Sequence, residues 1–435
     1  MDVDVVSPQS LLCALAGYAS MPTAKILQKP SRKARALHLL QLSISAIFLL
    51  AGTAVTFWTV SDVLWRITNS SKFSTPSFIT VIINVWPCAY PLRGAVVLAV
   101  FAVNRSSWRS LHTSIHELLL IFPPKSTRKL RSLSWAMLFL TALLHTVFTT
   151  FSWLESELVL LERDNSTLFH YCYFHTCLSL EEMLSFWVGL TDVSFILSQQ
   201  VIVCGIVYVL CLLTVLQSVT RNLQGELTNW LKGTNVEPRS KDDDLSRRVK
   251  HWMCVYMDGQ TCLHQLNGFF GWIFLAAVGL DFAMALGSGA DLLISKSASR
   301  AAAPARDAWT ACLFLTYTTV LYLPCVLLLE ERNKLIILLR HLLWGIKRRT
   351  ITLAEVAAEH KNSEVLSTFC HAEKEPDIRQ GHQLNGCTAV AELQNFSLLV
   401  QQNDFSVEVG GLFVFSRSYL FTVRPNSLGK FKQSA

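Results

Sequence analysis

Three ionisable side chains, Arg93, Asp192 and Asp281, sit inside otherwise apolar stretches of the chain. A charge held at the centre of a membrane costs a few kcal/mol or more, so such groups mark function by default. The chemistry open to them is binding. Arg93 could pair with either carboxylate. Aromatic side chains on the same stretches supply the apolar walls that a small-molecule pocket needs: Trp86 and Tyr90 beside Arg93, Trp187 before Asp192, and Trp309 and Tyr317 further on. Trp153 and Glu155 complete the ligand-binding candidates. The plain alternative is that an Arg–Asp pair only locks helix packing. Glu155, Trp309 and the other aromatics would then mark the headgroup interface, which Trp and Tyr favour.

Other chemistry is thinly represented. The chain has no Gly-x-Ser-x-Gly, no Gly-x4-Gly-Lys-Ser/Thr and no His-Glu-x2-His, so no enzyme and no cofactor are expected. His170, Cys172, His175 and Cys177 alternate in one short stretch, but their spacing fits no zinc site. A Cys172–Cys177 disulfide, or two free thiols, is expected there instead of a metal. His251, Cys254, Cys262 and His264 fall on one polar helix and read as helical packing. His145 lies deep in an apolar stretch and reads as a helix-bonded histidine. The twelve cysteines are scattered through apolar runs, where cysteine acts as a small hydrophobe.

The elements that carry these residues follow from composition. The 435 residues are 51% hydrophobic and only 16% charged, with a mean hydropathy of +0.37. A soluble domain carries about 25% charged residues. The reading is an all-α polytopic membrane helix bundle. The net charge of +7 does not point to nucleic acid, because the basic residues lie between apolar runs, as in cytoplasmic membrane loops. The first residues lack a basic start and an unbroken apolar core, so no cleavable leader is expected and the first span serves as its own signal anchor.

Six apolar stretches are long enough to span: 36–65, 78–103, 133–160, 183–216, 263–293 and 308–329. Pro87, Pro91 and Arg93 interrupt the second, and survive in a span only where protein or water satisfies what they disturb. Lys and Arg crowd the segment before the first stretch, the connections after the second and fourth, and the region after the sixth. The remaining connections are poor in them. The positive-inside rule then puts the N-terminus in the cytosol. Residues 1–35 become a cytoplasmic segment, 36–329 a bundle of six spans with a cytoplasmic loop at about 217–260, and 330–404 a cytoplasmic anchor-like helical region. The sequons at Asn69 and Asn165 fall outside, where glycosylation takes place. Those at Asn104 and Asn395 fall inside and are expected to be silent.

Residues 405–423 read as the start of a seventh span, followed by a polar tail, 424–435. Three patterns carry a resemblance. Cys262–Gly271 (CLHQLNGFFG) looks like a family entry into a fifth span, with Asn-x-x-Phe after a polar helix. Glu330–Asn333 (EERN) stands where the sixth span gives way to a cytoplasmic anchor helix. Residues 405–420, with aromatic-x-x-x-Gly-x-Phe spacing, resemble the start of a seventh span. Together with the topology over 36–423, they resemble the arthropod gustatory receptors.

The resemblance implies a ligand-gated, non-selective cation channel. It implies a homo- or hetero-tetramer of related subunits, a pore lined by the seventh span, and a small-molecule tastant bound in the outer half of the bundle. It also implies a multi-pass protein of the plasma membrane of chemosensory neurons, in contact with lipid and not with nucleic acid. The family's Thr-Tyr motif in the seventh span is absent. Val423-Arg424 can be encoded by a splice-donor sequence, so the residues after Thr422 read as intron or, in the plainer reading, as a short natural C-terminus. As written, the chain is expected to keep the ligand-binding bundle and lack the complete pore helix. The rival from another class is a polytopic secondary transporter, which needs interrupted helices at the midplane. A G-protein-coupled receptor needs the N-terminus outside, which both charge and sequons oppose.

Overall fold

The computed structural model describes residues 32–70, 78–121, 124–161, 181–232, 239–294, 302–367, 380–411, 413–416 and 422–423. Eight helices follow one another among the described residues. They are α1 (Arg32–Ser70), α2 (Phe78–Val103), α3 (Arg105–Leu120), α4 (Pro124–Leu161), α5 (Glu181–Lys232), α6 (Arg239–Ile294), α7 (Ala302–Ser367) and α8 (Gln380–Gln402). Each of the six expected apolar stretches falls within one helix. Four helical segments among the described residues are long and apolar enough to cross a membrane: Thr127–Thr150, Gly189–Glu226, Leu245–Leu293 and Asp307–Gly345. In the first two helices the described residues include the apolar segments Ala46–Phe57 and Cys88–Val103.

The helices outrun the apolar stretches, and local pattern explains why. Residues 217–260, read as a hydrophilic loop, are helical up to Lys232 and again from Arg239. Val219 and Leu223, then Leu245, Val249, Trp252 and Tyr256, recur every three or four residues and are buried. A polar segment with such a stripe holds a helix by burying one face. The connection after α2 behaves likewise. It folds as α3, whose Trp108, Leu111, Ile115 and Leu118 are buried.

The chain divides into two compact units. The first comprises Met1–Leu210, His264–Cys325 and Val407–Ala435, and the second Cys211–Leu263 and Val326–Ser406. In the first, glycines let helices meet at backbone distance. A Cβ on Gly94 of α2 would lie 3.4 Å from the Phe195 amide nitrogen of α5. One on Gly205 of α5 would lie 2.7 Å from both the Phe270 and Phe274 rings of α6. In the second unit, Tyr256, Phe396 and Phe405 form an aromatic cluster. Arg332 donates to the Val400 and Gln401 carbonyls at 3.2 and 3.3 Å and reaches Asp404 at 3.2 Å. Its charge therefore sits at the C-terminus of α8, where unpaired carbonyls favour a cation.

Where the sequence leads to the first turns of a seventh helix, the described residues instead form a small antiparallel sheet. The strands are β1 (Glu408–Val409), β2 (Phe413–Val414) and β3 (Thr422–Val423), in the order β1-β2-β3. Gly410 and Gly411 make the first turn with φ of 60° and 69°, a conformation strained for any other residue type except Asn or Asp. Val407 and Val409 are buried on either side of the less buried Glu408, and Phe415 between the less buried Val414 and Ser416, as a strand's period of two requires. The sheet docks on α6. The Glu408 amide donates to Asn267 Oδ1 at 3.1 Å and the Gly410 amide to the Gly271 carbonyl at 3.0 Å. The Tyr322 hydroxyl of α7 donates to the Ser416 carbonyl.

Candidate functional site

Inside the first unit, α2, α4, α5, α6 and α7 bring their polar side chains together. Arg93 is the centre and is fully buried. Its Nε lies 2.5 Å from Asp281 Oδ1, and Nη2 donates to Asp281 Oδ2 at 3.2 Å. Nη1 donates to the Ser198 hydroxyl at 2.9 Å, and Nη2 also to Gln199 Oε1. The guanidinium carbon sits 4.4 Å from the centre of the Phe195 ring. A planar fork with five N–H donors suits this set of partners; a lysine ammonium does not. Burying two charges costs several kcal/mol each, repaid only when geometry and further hydrogen bonds are good, and Ser198 and Gln199 supply those bonds. The open choice of partner for Arg93 is thereby settled. It pairs with Asp281, not with Asp192.

Asp192 belongs to a neighbouring chain of bonds. The Tyr90 hydroxyl donates to Asp192 Oδ1 at 2.8 Å and lies 3.3 Å from His145 Nε2. Its ring stacks on Phe195, with centroids 4.3 Å apart and planes 10° from parallel. Phe148 and Phe314 extend the aromatic cluster, Tyr317 packs edge-on to Phe314, and Trp309 packs against the same group half-buried. Thr141, His145, Phe195, Gln199, Gln200 and Tyr317 line a closed seam here, without free room for a water molecule. Gln200 Nε2 donates to Thr141 Oγ1 at 2.9 Å.

Six sequence candidates thus meet in one place: Tyr90, Arg93, Asp192, Asp281, Trp309 and Tyr317. Trp86 on α2, Trp153 and Glu155 on α4, and Trp187 on α5 lie on helices, but their side chains fall outside the described residues. The same holds for the Asn69 side chain, and Asn165, Cys172 and Cys177 lie wholly outside them. Reasoning from sequence missed Ser198, Gln199, Gln200, Phe195 and Thr141. It also read His145 as bonded within its own helix, whereas its ring reaches Tyr90 on another. One signal was visible. Asp192, Phe195 and Gln199 share a helical face, and a Gln-Gln pair is unusual in an apolar stretch.

What this arrangement offers is the make-up of a small-molecule site, aromatic rings beside a few oriented polar atoms, packed without an open cavity. No protein-family model matches the chain, and no curated protein matches it in sequence. Similarity appears in three dimensions. The structure superposes on the insect olfactory receptor OR5 from Machilis hrabei with a TM-score of 0.57 at 13% identity, covering 99% of this chain and 95% of that one. It superposes on the same receptor in complex with eugenol with a TM-score of 0.55 at 12% identity, again covering 99% and 95%. At such identity the likeness establishes the fold alone, a helix bundle. Function has to be argued from the site.

Proposed function

We propose that this chain is a subunit of a gustatory-type chemosensory receptor, in which a small-molecule tastant bound inside the helix bundle gates a non-selective cation pore. The observation that carries this reading is the seam beside Arg93. It is aromatic-lined, holds oriented polar groups, and is built from three helices, α4, α5 and α7, of a fold that an olfactory receptor shares. The eugenol complex of that receptor supports a small organic ligand for this chain too. The gustatory assignment rests on the sequence resemblance. A plasma-membrane location in chemosensory neurons and a homo- or hetero-tetramer belong to the same proposal. On α7, Ile337 and Trp344 are two turns apart and 54% and 63% exposed in the second unit, which fits a surface that another subunit would cover.

The transporter reading asks for helices interrupted near their middle. Instead α2 passes through Pro87 and Pro91, and α7 through Pro324, without a break. Whole-cell recording from cells expressing the full chain, alone and with related receptor subunits, during application of a panel of tastants tests the proposal. A ligand-evoked cation current is expected on co-expression with related receptor subunits, and none from the chain expressed alone. Saturable, ion-coupled uptake of a ligand without such a current would replace the receptor by a transporter.

A further inference from the structure

A charge pattern that the cluster around Arg93 does not use lies at the start of α4. Between Arg105 and Leu154 the chain has a single acidic residue, Glu117, among Arg105, Arg109, Lys125, Arg128, Lys129 and Arg131. Arg128, Lys129 and Arg131 are exposed. They make no ion pair among the described residues.

Beyond these cations the helix turns apolar but stays exposed. Arg128, Arg131, Trp135 and Phe139 recur every three or four residues and so share one face. Trp135 and Phe139 are 39% and 66% exposed, and their rings stack with centroids 5.8 Å apart. Leu143, one turn further, is 61% exposed. Of the four long apolar segments this one is the least buried, 22% of its apolar window against 78% for the segment in α5. Arg131 and Leu143 stand about 18 Å apart along the axis, at about 1.5 Å per residue. One leaflet contributes about 15 Å of hydrocarbon. The stripe thus has the length of one lipid molecule, with cations at one end, an indole where Trp favours the headgroup region, and Phe139 and Leu143 along the acyl chains.

We infer that this face of α4 binds an anionic phospholipid of the cytoplasmic leaflet. Arg128, Lys129 and Arg131 meet its phosphates, and the Trp135–Phe139 stack lies against its glycerol and acyl segments. Charge complementarity selects the occupant. A zwitterionic lipid leaves the three cations without net counter-charge, and a soluble acidic protein leaves the rings and Leu143 uncovered. With the N-terminus in the cytosol, this end of α4 meets the leaflet that carries anionic lipid. The site is separate from the polar cluster at Arg93, which α4 meets through the buried His145.

The test titrates the full chain, held in phosphatidylcholine nanodiscs, with dioctanoyl phosphatidylinositol bisphosphate by calorimetry, using empty nanodiscs as the blank. Joint substitution Arg128→Gln, Lys129→Gln and Arg131→Gln is expected to weaken binding at least about tenfold, because three cations leave the membrane surface. Arg128→Lys with Arg131→Lys should keep most of the affinity, which separates lost charge from lost fold. Lys347→Gln, Arg348→Gln and Arg349→Gln remove equal charge from α7 and should leave binding unchanged. Trp135→Ala with Phe139→Ala should weaken the lipid several-fold at an unchanged unfolding temperature. Inositol trisphosphate, the headgroup without its chains, should bind far more weakly than the lipid. Heat no greater than with empty nanodiscs overturns the site. Equal weakening by the two triple variants overturns it as well, since the lipid would then answer only to net charge. Inositol trisphosphate binding as tightly as the lipid would replace the lipid by a soluble polyphosphate.

Discussion

Removing the Arg93 guanidinium alone strands the buried Asp281 carboxylate without its counter-charge. Arg93→Met is expected to cost about 3–5 kcal/mol, because an uncompensated buried charge is worse than no charge at all. The double substitution Arg93→Met with Asp281→Leu should recover most of that loss, since both desolvation costs vanish together. Thermal unfolding of the two variants in detergent reads the difference. A double variant no more stable than the single one would mean that the Asp281 carboxylate, left without Arg93, carries none of the cost. Tyr90→Phe isolates the second bond chain. It keeps the stack on Phe195 and deletes the hydroxyl that joins Asp192 to His145. A loss of about 1–3 kcal/mol is expected, the cost of leaving buried polar partners unpaired. A fully neutral Tyr90→Phe in the same unfolding measurement would show that Asp192 finds another donor. Sequence pointed to these ionisable residues because charges within apolar stretches stand out. It could not choose between Asp192 and Asp281, because the choice depends on how the helices are rotated about their axes.

At the scale of elements, two close approaches decide how helices meet. A side chain larger than hydrogen on Gly205 runs into Phe270 and Phe274, whereas Gly189, on the same helix, has nothing within 4 Å of an added Cβ. Gly205→Leu should therefore destabilise the bundle by about 1–3 kcal/mol through overpacking. Gly189→Ala should stabilise it by up to about 1 kcal/mol through helix propensity alone. Opposite signs in one unfolding experiment would confirm the packing; equal effects would refute it. The small sheet makes a second case. Asn267→Ala removes the acceptor for the Glu408 amide, and amide exchange at Glu408 should rise while exchange along α6 is unchanged. Slow exchange at Glu408 in that variant would show that Asn267 does not anchor the sheet. The helices were legible in advance because apolar runs of this length admit few other structures. Their extensions were not, since α3 and the polar halves of α5 and α6 are specified by sparse buried stripes that hydropathy averages away. The sheet was hidden for a related reason. Residues 405–423 are apolar enough to begin a span, and only the Gly410-Gly411 turn and the alternation around it oppose a helix.

For the whole molecule the open quantity is orientation, and four sequons make it measurable. Sugar is attached only on the outer face, so charge distribution and glycosylation test each other. With the N-terminus in the cytosol, Asn69 and Asn165 are accessible to the transferase while Asn104 and Asn395 are not. The structure adds an independent reason for silence at the latter two. Asn104 donates its side-chain amide to the Val100 carbonyl at 3.1 Å, between α2 and α3. Asn395 lies within α8, and the third residue of its sequon, Ser397, is buried and accepts from Gln401 at 3.0 Å. A glycosidase should therefore shift the mobility of the full chain, Asn69→Gln and Asn165→Gln should each remove part of the shift, and the pair should abolish it. Because the local structure at Asn395 already opposes modification, its silence alone says little. The informative result is positive: sugar at Asn69 or Asn165 requires those segments outside. Sugar at Asn395 would require both an inverted topology and modification before α8 forms, and would remove the basis for placing 330–404 in the cytosol.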